Sequence, residues 1–440
     1  MRVLYFLMSY ILKITIWVYY PRFKNVNKPK KRFSRTIFMS NHAASFMDPL
    51  TIVGSQPPII FFMTRSDIFK PYLKPILWAS HMLPIYRKLD GEDTKKKNEE
   101  VFIKCAKILR GGRSLIVFAE GFTDNEFIRR LKPIKKGAVR IGFLSLEKIN
   151  WKKKIYLQAT GANYSDPNKL GSDCVVSNGD PVCLNDYRKA YEKDPNKTIL
   201  DLTLRMEVEM RNQITDVRNE KMAPFHENIM RITRKGMNAV DSDFRIPLLE
   251  RWEYSKNLAN WFNEQHVEKN EMLLALKKRL ENYFLSQKQE NIEETPLYNV
   301  LSNNRREGRD RLFLITIFPF MLLGMIHCFL PYYYIKSFVE KSFKRKVFWS
   351  SVKMLLGLVA IALFNVPIII LIVMSFQIPT VIGVLYFVTV LPICGLLAYR
   401  WFEVNKKHKK MKVLSKMNVS ELGLERSRIH DEIIRLIPVA

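Results

Sequence analysis

The sequence predicts an α/β domain framed by membrane elements: a membrane-associated N-terminal helix, then the α/β layer, a helical middle segment and C-terminal transmembrane helices. Three observations predict it. Short apolar runs alternate with stretches of helical spacing over residues 25–190, as strands and helices layered on one another require. Three long apolar runs fall between residues 312 and 399. The 440-residue chain also carries 71 Lys and Arg against 42 Asp and Glu, a net charge of +29.

That charge excess is an electrostatic footprint for an acidic partner, either nucleic acid or an anionic membrane surface. The apolar runs decide between the two. A chain that spans lipid and is basic outside it faces acidic headgroups, so anionic membrane lipids are the expected partner and nucleic acid is not. Cys105, Cys174, Cys183, Cys328 and Cys394 form no C-x-x-C pair, so neither a disulfide framework nor a zinc site is expected.

Val3 to Tyr20 is mostly apolar with Lys13 inside it and no small-residue cleavage site. It reads as an interfacial helix with Arg2, Lys13, Arg22 and Lys24 at headgroup level, rather than a cleaved signal. Lys24 to Arg35 reads as a basic linker. Strands are predicted at Thr36–Met39, Ile59–Met63, Ser114–Phe118, Ile155–Ala159 and Asp173–Val176. A helix over Glu99–Leu109 is predicted to stop at Gly111-Gly112. Residues 186–310 are charged and helical in pattern, most clearly at Leu273–Phe284. The runs Leu312–Ile335, Met354–Phe376 and Pro379–Tyr399 are each long enough for a bilayer core of about 30 Å. The expected divisions are a membrane-associated helix (1–24), the α/β domain (25–190), a charged connecting region (191–310), two or three transmembrane helices (311–402) and a basic tail (403–440).

Chemistry concentrates in the α/β layer. His42 precedes Asp48 in NHAASFMDP, just after a predicted strand. A neutral imidazole is a competent base near pH 7. A carboxylate on its other ring nitrogen fixes the tautomer and stabilises the imidazolium. Farther on come LPIYR with Arg87, then VFAEG with Glu120 and Gly121, then LKPIKKG with Lys135 and Lys136, then ATGANY. Taken singly, each has a plain reading as a surface cation, a turn or a solvated charge run.

In this order they resemble the four motifs of the glycerol-3-phosphate and lysophosphatidate acyltransferase superfamily. The resemblance covers roughly residues 1–190. It implies an α/β acyltransferase domain with His42 and Asp48 as catalytic dyad and Arg87, Glu120 and Gly121 at the acceptor site. It implies an acyl-thioester donor, acyl-CoA or acyl carrier protein, as co-substrate, with no cofactor and no metal. Five residues separate His42 from Asp48 instead of the usual four, as in the fungal glycerol-3-phosphate/dihydroxyacetone-phosphate type and its bacterial relatives. Ala119 stands where the motif has proline, and the arginine usual soon after Glu-Gly is missing. Arg129, Arg130 and Lys135 are the candidates to replace it, with Lys132 and Lys136 beside them.

The function implied is acyl transfer to the sn-1 hydroxyl of glycerol 3-phosphate in phospholipid synthesis. Lysophosphatidate, acylated at sn-2, is the alternative acceptor. A non-catalytic basic scaffold that binds acidic lipid explains the charge and the runs but not the motif order. Basic clusters before the first run, between the first two and after the third favour the cytoplasmic side for all three. They suggest that the first run turns back at Pro319 and Pro331, leaving a two-span hairpin with the catalytic part on the cytoplasmic face.

Overall fold

The structure is a computed structural model that describes residues 2–29, 34–56, 59–71, 73–86, 94–303 and 307–439. The chain forms two compact units: residues 1–230 with 235–267, and residues 231–234 with 268–438.

In the first unit the chain runs α1 (Arg2–Tyr19), β1 (Arg22–Val26), β2 (Thr36–Ser40), α2 (Met47–Ser55), β3 (Ile60–Arg65), α3 (Lys74–Ala79) and β4 (Met82–Ile85). Next come α4 (Thr94–Arg110), β5 (Ser114–Phe118), α5 (Gly137–Lys148), β6 (Tyr156–Tyr164), β7 (Asp173–Asn178) and β8 (Val182–Cys183). The helices α6 (Arg188–Lys193), α7 (Pro195–Asn212), α8 (Ala223–Thr233) and α9 (Leu248–Glu264) follow.

The strands form one sheet in the order β1-β7-β6-β2-β5-β3-β4, with β8 also on β6. All pairings are parallel except those of β6 with β7 and β8. Every residue of β2 is buried, as expected of a strand covered on both faces. Ile37 and Met39 pack in one core cluster with Leu115 and Leu157 of the flanking strands and with Phe143 of α5 and Met206 of α7. Because β2 is parallel to both β5 and β6, the carboxyl ends of β2 and β5 meet beside the middle of the longer β6: Ser40 lies opposite Phe118 on one side and Thr160 on the other. Ligands of open α/β sheets bind at such an edge.

Part of the expected basic linker is an edge strand instead. Arg22 to Val26 pair with β7. Arg22 forms an ion pair with the fully buried Asp173, which also takes Arg251 Nη1 of α9 at 2.6 Å. This long-range pairing overrides a local pattern that reads as coil. The first unit also continues through residues 235–267, so part of the expected connecting region belongs with the sheet.

Helix α1 buries Tyr5 and Ile16 against the unit and exposes Leu7, Tyr10, Ile11, Ile14 and Trp17. Those five share one helical face. The Tyr5 hydroxyl accepts the Ile59 and Ile60 amides at 2.8 and 3.2 Å, tying the helix to the start of β3.

The second unit holds α10 (Glu271–Gln289), α11 (Glu294–Leu301), α12 (Glu307–Ser342), α13 (Trp349–Ser375), α14 (Thr380–Leu385), α15 (Leu391–Leu414) and α16 (Ser420–Leu436). A π-helical stretch, Tyr386–Val390, joins α14 to α15. Three helical stretches are long and apolar enough to cross a membrane: Gly308–Ser342, Lys346–Ser375 and Thr380–Leu414. Pro319 and Pro331 lie inside α12 without ending it. The expected turning back of the first run is therefore not found. Proline is tolerated in such helices because neighbours and local adjustments satisfy the freed carbonyls.

Helices α12 and α15 are antiparallel partners. Trp401 Nε1 donates to the Leu314 carbonyl at 2.8 Å, Gly324 admits the Cys394 carbonyl, and Gly395 faces Cys328. Small residues allow this close approach. His327 joins three helices: its Nδ1 lies 2.5 Å from Asn365 Oδ1 of α13 and its Nε2 lies 2.7 Å from the Tyr386 hydroxyl.

The segment before α12 and the tail after α15 are clasped together. Glu293 pairs with Lys410 at 2.5 Å and the buried Glu294 with Arg426 at 2.6 Å. Arg279 reaches Glu425 at 2.7 Å and Glu432 at 2.8 Å. If these helices cross a bilayer, ends held together in this way lie on one side of it, and the chain between them crosses an even number of times. In a cysteine-free background, single cysteines at Ser302 and Ser415 should react with an impermeant maleimide from the same side, and one at Ser342 from the other. Labelling of Ser302 and Ser415 from opposite sides would overturn the even count.

Candidate active site

The site is built at the carboxyl ends of β2 and β5, beside the second half of β6. Asn41, the first residue after β2, hydrogen-bonds the Ala162 backbone twice: its Oδ1 accepts the amide at 2.9 Å and its Nδ2 donates to the carbonyl at 3.1 Å. The side chain thus mimics a further strand pair and fixes the chain one residue before His42. Sequence reasoning does not single out Asn41; the available signal is an asparagine directly after an apolar strand.

His42 Nδ1 lies 3.0 Å from Asp48 Oδ2. Asp48 is fully buried, and the same oxygen accepts the Ala44 amide at 2.9 Å. The loop between them turns through Ser45 at φ 51°, and Asp48 enters the first turn of α2. A left-handed residue here accommodates the longer spacing. With Asp48 ionised, Nδ1 carries the proton and Nε2 is left with a lone pair. The ring stacks on Phe118 with centroids 4.3 Å apart, and its side chain is 21% exposed, enough for a substrate to reach it.

Glu120 follows β5 and is buried. Its Oε1 accepts the His42 backbone N–H at 3.0 Å, while Oε2 accepts no hydrogen bond among the described residues. Burial pushes its carboxyl up to about 7, against the opposing pull of the His42 amide and Lys132. Gly121 has φ +79°, and a Cβ there would sit 2.6 Å from Lys135 Nζ. The left-handed backbone favours glycine here, and its lack of a side chain lets the flexible lysine tip rest against it. The loop folds back over β5 because the Lys135 amide donates to the Ala119 carbonyl at 2.9 Å, so alanine sustains this turn without proline.

The other basic candidates are engaged internally. Arg129 pairs with Glu227 at 2.5 Å and donates to the Tyr164, Ser165 and Met237 carbonyls. Arg130 pairs with Asp124 at 3.1 Å and Glu220 at 2.6 Å. Lys132 is buried against Glu120 and Asp124. Lys135 and Lys136 are exposed, and Lys135 alone of the five stands against Gly121. Sequence could not sort these cations, because charge reads the same whether paired or free. Arg87 lies outside the described residues. A depression beside the histidine is lined by Asn41, Ala43, Arg129, Tyr164 and Thr215. Among the described residues no cluster of His, Cys, Asp and Glu has the arrangement of a metal site.

This geometry defines a histidine-carboxylate base at the carboxyl edge of the sheet. Residues 22–146 match the family model described as Acyltransferase. The chain therefore carries an acyltransferase domain. Among solved structures it is similar to the 1-acyl-sn-glycerophosphate (LPA) acyltransferase PlsC from Thermotoga maritima, with 15% identity over 47% of this chain and 78% of that chain and a TM-score of 0.33. No curated relative matches the chain.

The Glu120 carboxyl gives a prediction with a definite sign. Its folded value of about 7 lies above the ordinary 4.5, so ionisation disfavours the native state. Its contribution is fully present below about pH 4.5 and is lost as pH rises through 7. Glu120→Gln should therefore gain on the wild type over that window, by on the order of 3 kcal/mol at most. The difference between the two unfolding profiles isolates Glu120 from His81 and His226. Burial lowers those histidines to about 4 and about 3, and they act in the opposite direction. Parallel profiles from pH 4.5 to 7 would refute the assignment.

Proposed function

We propose that the protein transfers a fatty acyl group from an acyl-CoA or acyl carrier protein thioester to the sn-1 hydroxyl of glycerol 3-phosphate in phospholipid synthesis. The observation that carries the reading is the His42–Asp48 pair, with Nε2 left free at the joint carboxyl ends of the parallel strands. The acyltransferase family match supports the reaction type. The five-residue spacing, which the sequence shares in pattern with the glycerol-3-phosphate type, favours this acceptor over lysophosphatidate.

In the proposed mechanism, His42 Nε2 removes the acceptor hydroxyl proton as the oxygen attacks the thioester carbonyl carbon. Asp48 stabilises the imidazolium that forms. The tetrahedral intermediate then expels the thiolate, the C–S bond breaks, and the imidazolium returns its proton to sulfur. No covalent acyl-enzyme is needed. Lys135, and Arg87 by resemblance, hold the acceptor phosphate; Lys135 pairs with no carboxylate among the described residues. The apolar stripe of α1 rests in the headgroup region, and anionic lipid attracts the basic tail. The catalytic unit faces the cytoplasm, where soluble acyl carriers are found.

His42→Ala should lower turnover by roughly a hundredfold to ten-thousandfold with the thermal midpoint little changed. A radiolabelled acyl-transfer assay offering glycerol 3-phosphate and lysophosphatidate side by side measures this and decides the acceptor. Near wild-type turnover by His42→Ala would refute the mechanism, and exclusive use of lysophosphatidate would refute the acceptor.

Lys135→Ala should raise the KM for the acceptor roughly tenfold and leave that for the thioester near its wild-type value. Equal effects on both would remove Lys135 from the phosphate site.

A further inference from the structure

Lys132 is a cation that the proposed mechanism does not use, in a place where a charge is costly. It is 6% exposed, at the core of a loop whose other lysines reach solvent. Its Nζ lies 3.4 Å from Glu120 Oε2 and 3.4 Å from Asp124 Oδ2, donates to the Phe122 carbonyl at 2.9 Å, and sits 4.2 Å from the centre of the Phe122 ring. Such partners satisfy a cation buried away from water. It is therefore spent on the protein and does not await a phosphate. The carboxylate it faces holds His42 from the opposite side: Glu120 Oε1 accepts the His42 main-chain N–H at 3.0 Å.

We propose that Lys132 is a positioning residue that acts through Glu120 to fix the main chain of His42. The histidine is then held at two points, its ring by Asp48 and its backbone by Glu120, and Lys132 ties the second hold to the basic loop. The groups facing Glu120 fit the role. On one side are the His42 amide and the buried Asp48, whose like charge works against ionisation. On the other is Lys132, the cation that offsets it, with Asp124 behind and Lys135 at the adjoining Gly121. Removing Lys132 raises the Glu120 carboxyl above about 7 and weakens its grip on the His42 amide at neutral pH. In place of the missing arginine of its motif, the chain thus has a buried lysine that orders the base and, in our reading, an exposed one that meets the acceptor.

The proposal rests on the acyltransferase reading, so its test has one arm that needs no turnover. Hydrogen exchange of the peptide around His42 is followed by mass spectrometry in the full-length protein with Lys132 as wild type, Met or Arg. Lys132→Met should speed exchange there by about tenfold or more, with Lys132→Arg near wild type. In the acyl-transfer assay Lys132→Met should lower kcat by about tenfold to a hundredfold and move the acid limb of the pH profile upward. It should change the acceptor KM less than twofold, and Lys132→Arg should recover most of the rate. Glu120→Gln combined with Lys132→Met should lose little more than either alone, since both act on one contact. Unchanged exchange at His42 in Lys132→Met overturns the proposal. So does a raised acceptor KM at unchanged kcat, which would make Lys132 a phosphate ligand. Should Lys132→Met not fold, failure of Lys132→Arg to protect His42 overturns it equally. Absence of acyl transfer by the wild type would refute the function, while the exchange arm still decides the positioning.

Discussion

The pairing of β2 between two parallel neighbours is the constraint from which the site descends. One short apolar strand is buried on both faces and held in register by β5 and β6. A slip of one residue would exchange its two faces and carry Asn41 away from Ala162. Histidine and asparagine follow the end of β2, the glutamate follows the end of β5, and the asparagine clamps Ala162 of β6, 121 residues away. No local interaction assembles them; only the sheet does. The dyad itself is local, since Asp48 needs only the turn at Ser45 and the first turn of α2 to reach the ring.

A second consequence is that charge in this unit is used structurally as well as for binding. Asp173 is fully buried between Arg22 and Arg251, joining an edge strand to α9. Arg129 reaches three carbonyls and a carboxylate. Burying one partner of such pairs without the other is costly, so these arginines hold together the elements and loops that they join. The net charge of +29 is therefore not a measure of surface available to anionic lipid.

These facts bear on what could be read beforehand. Strands at Thr36 and Ser114 and the long helices were legible, because a buried strand or spanning helix leaves a continuous apolar run. The closeness of His42 and Asp48 was legible because a turn joins them. Strand β1 was not, since its pairing depends on Asp173, far along the chain. Nor was the division of labour among Arg129, Arg130, Lys132 and Lys135, because burial is a tertiary property that residue type does not encode. Charge placement suggested that the first apolar run turns back, whereas α12 is unbroken and it is the antiparallel α15 that brings the chain home.

The clasp between the two ends of the apolar region also imposes an order on biosynthesis. Glu294 is fully buried, and its partner Arg426 lies 132 residues later in the chain. While the ribosome makes α12 and α13, that carboxylate has no guanidinium to meet, and the helices ahead of the membrane cannot close. Only when α16 emerges do Arg426 and the two glutamates that bind Arg279 arrive together. Helix α16 thus carries the counter-charge of a buried carboxylate: a chain that lacks Arg426 keeps the Glu294 charge without a guanidinium partner.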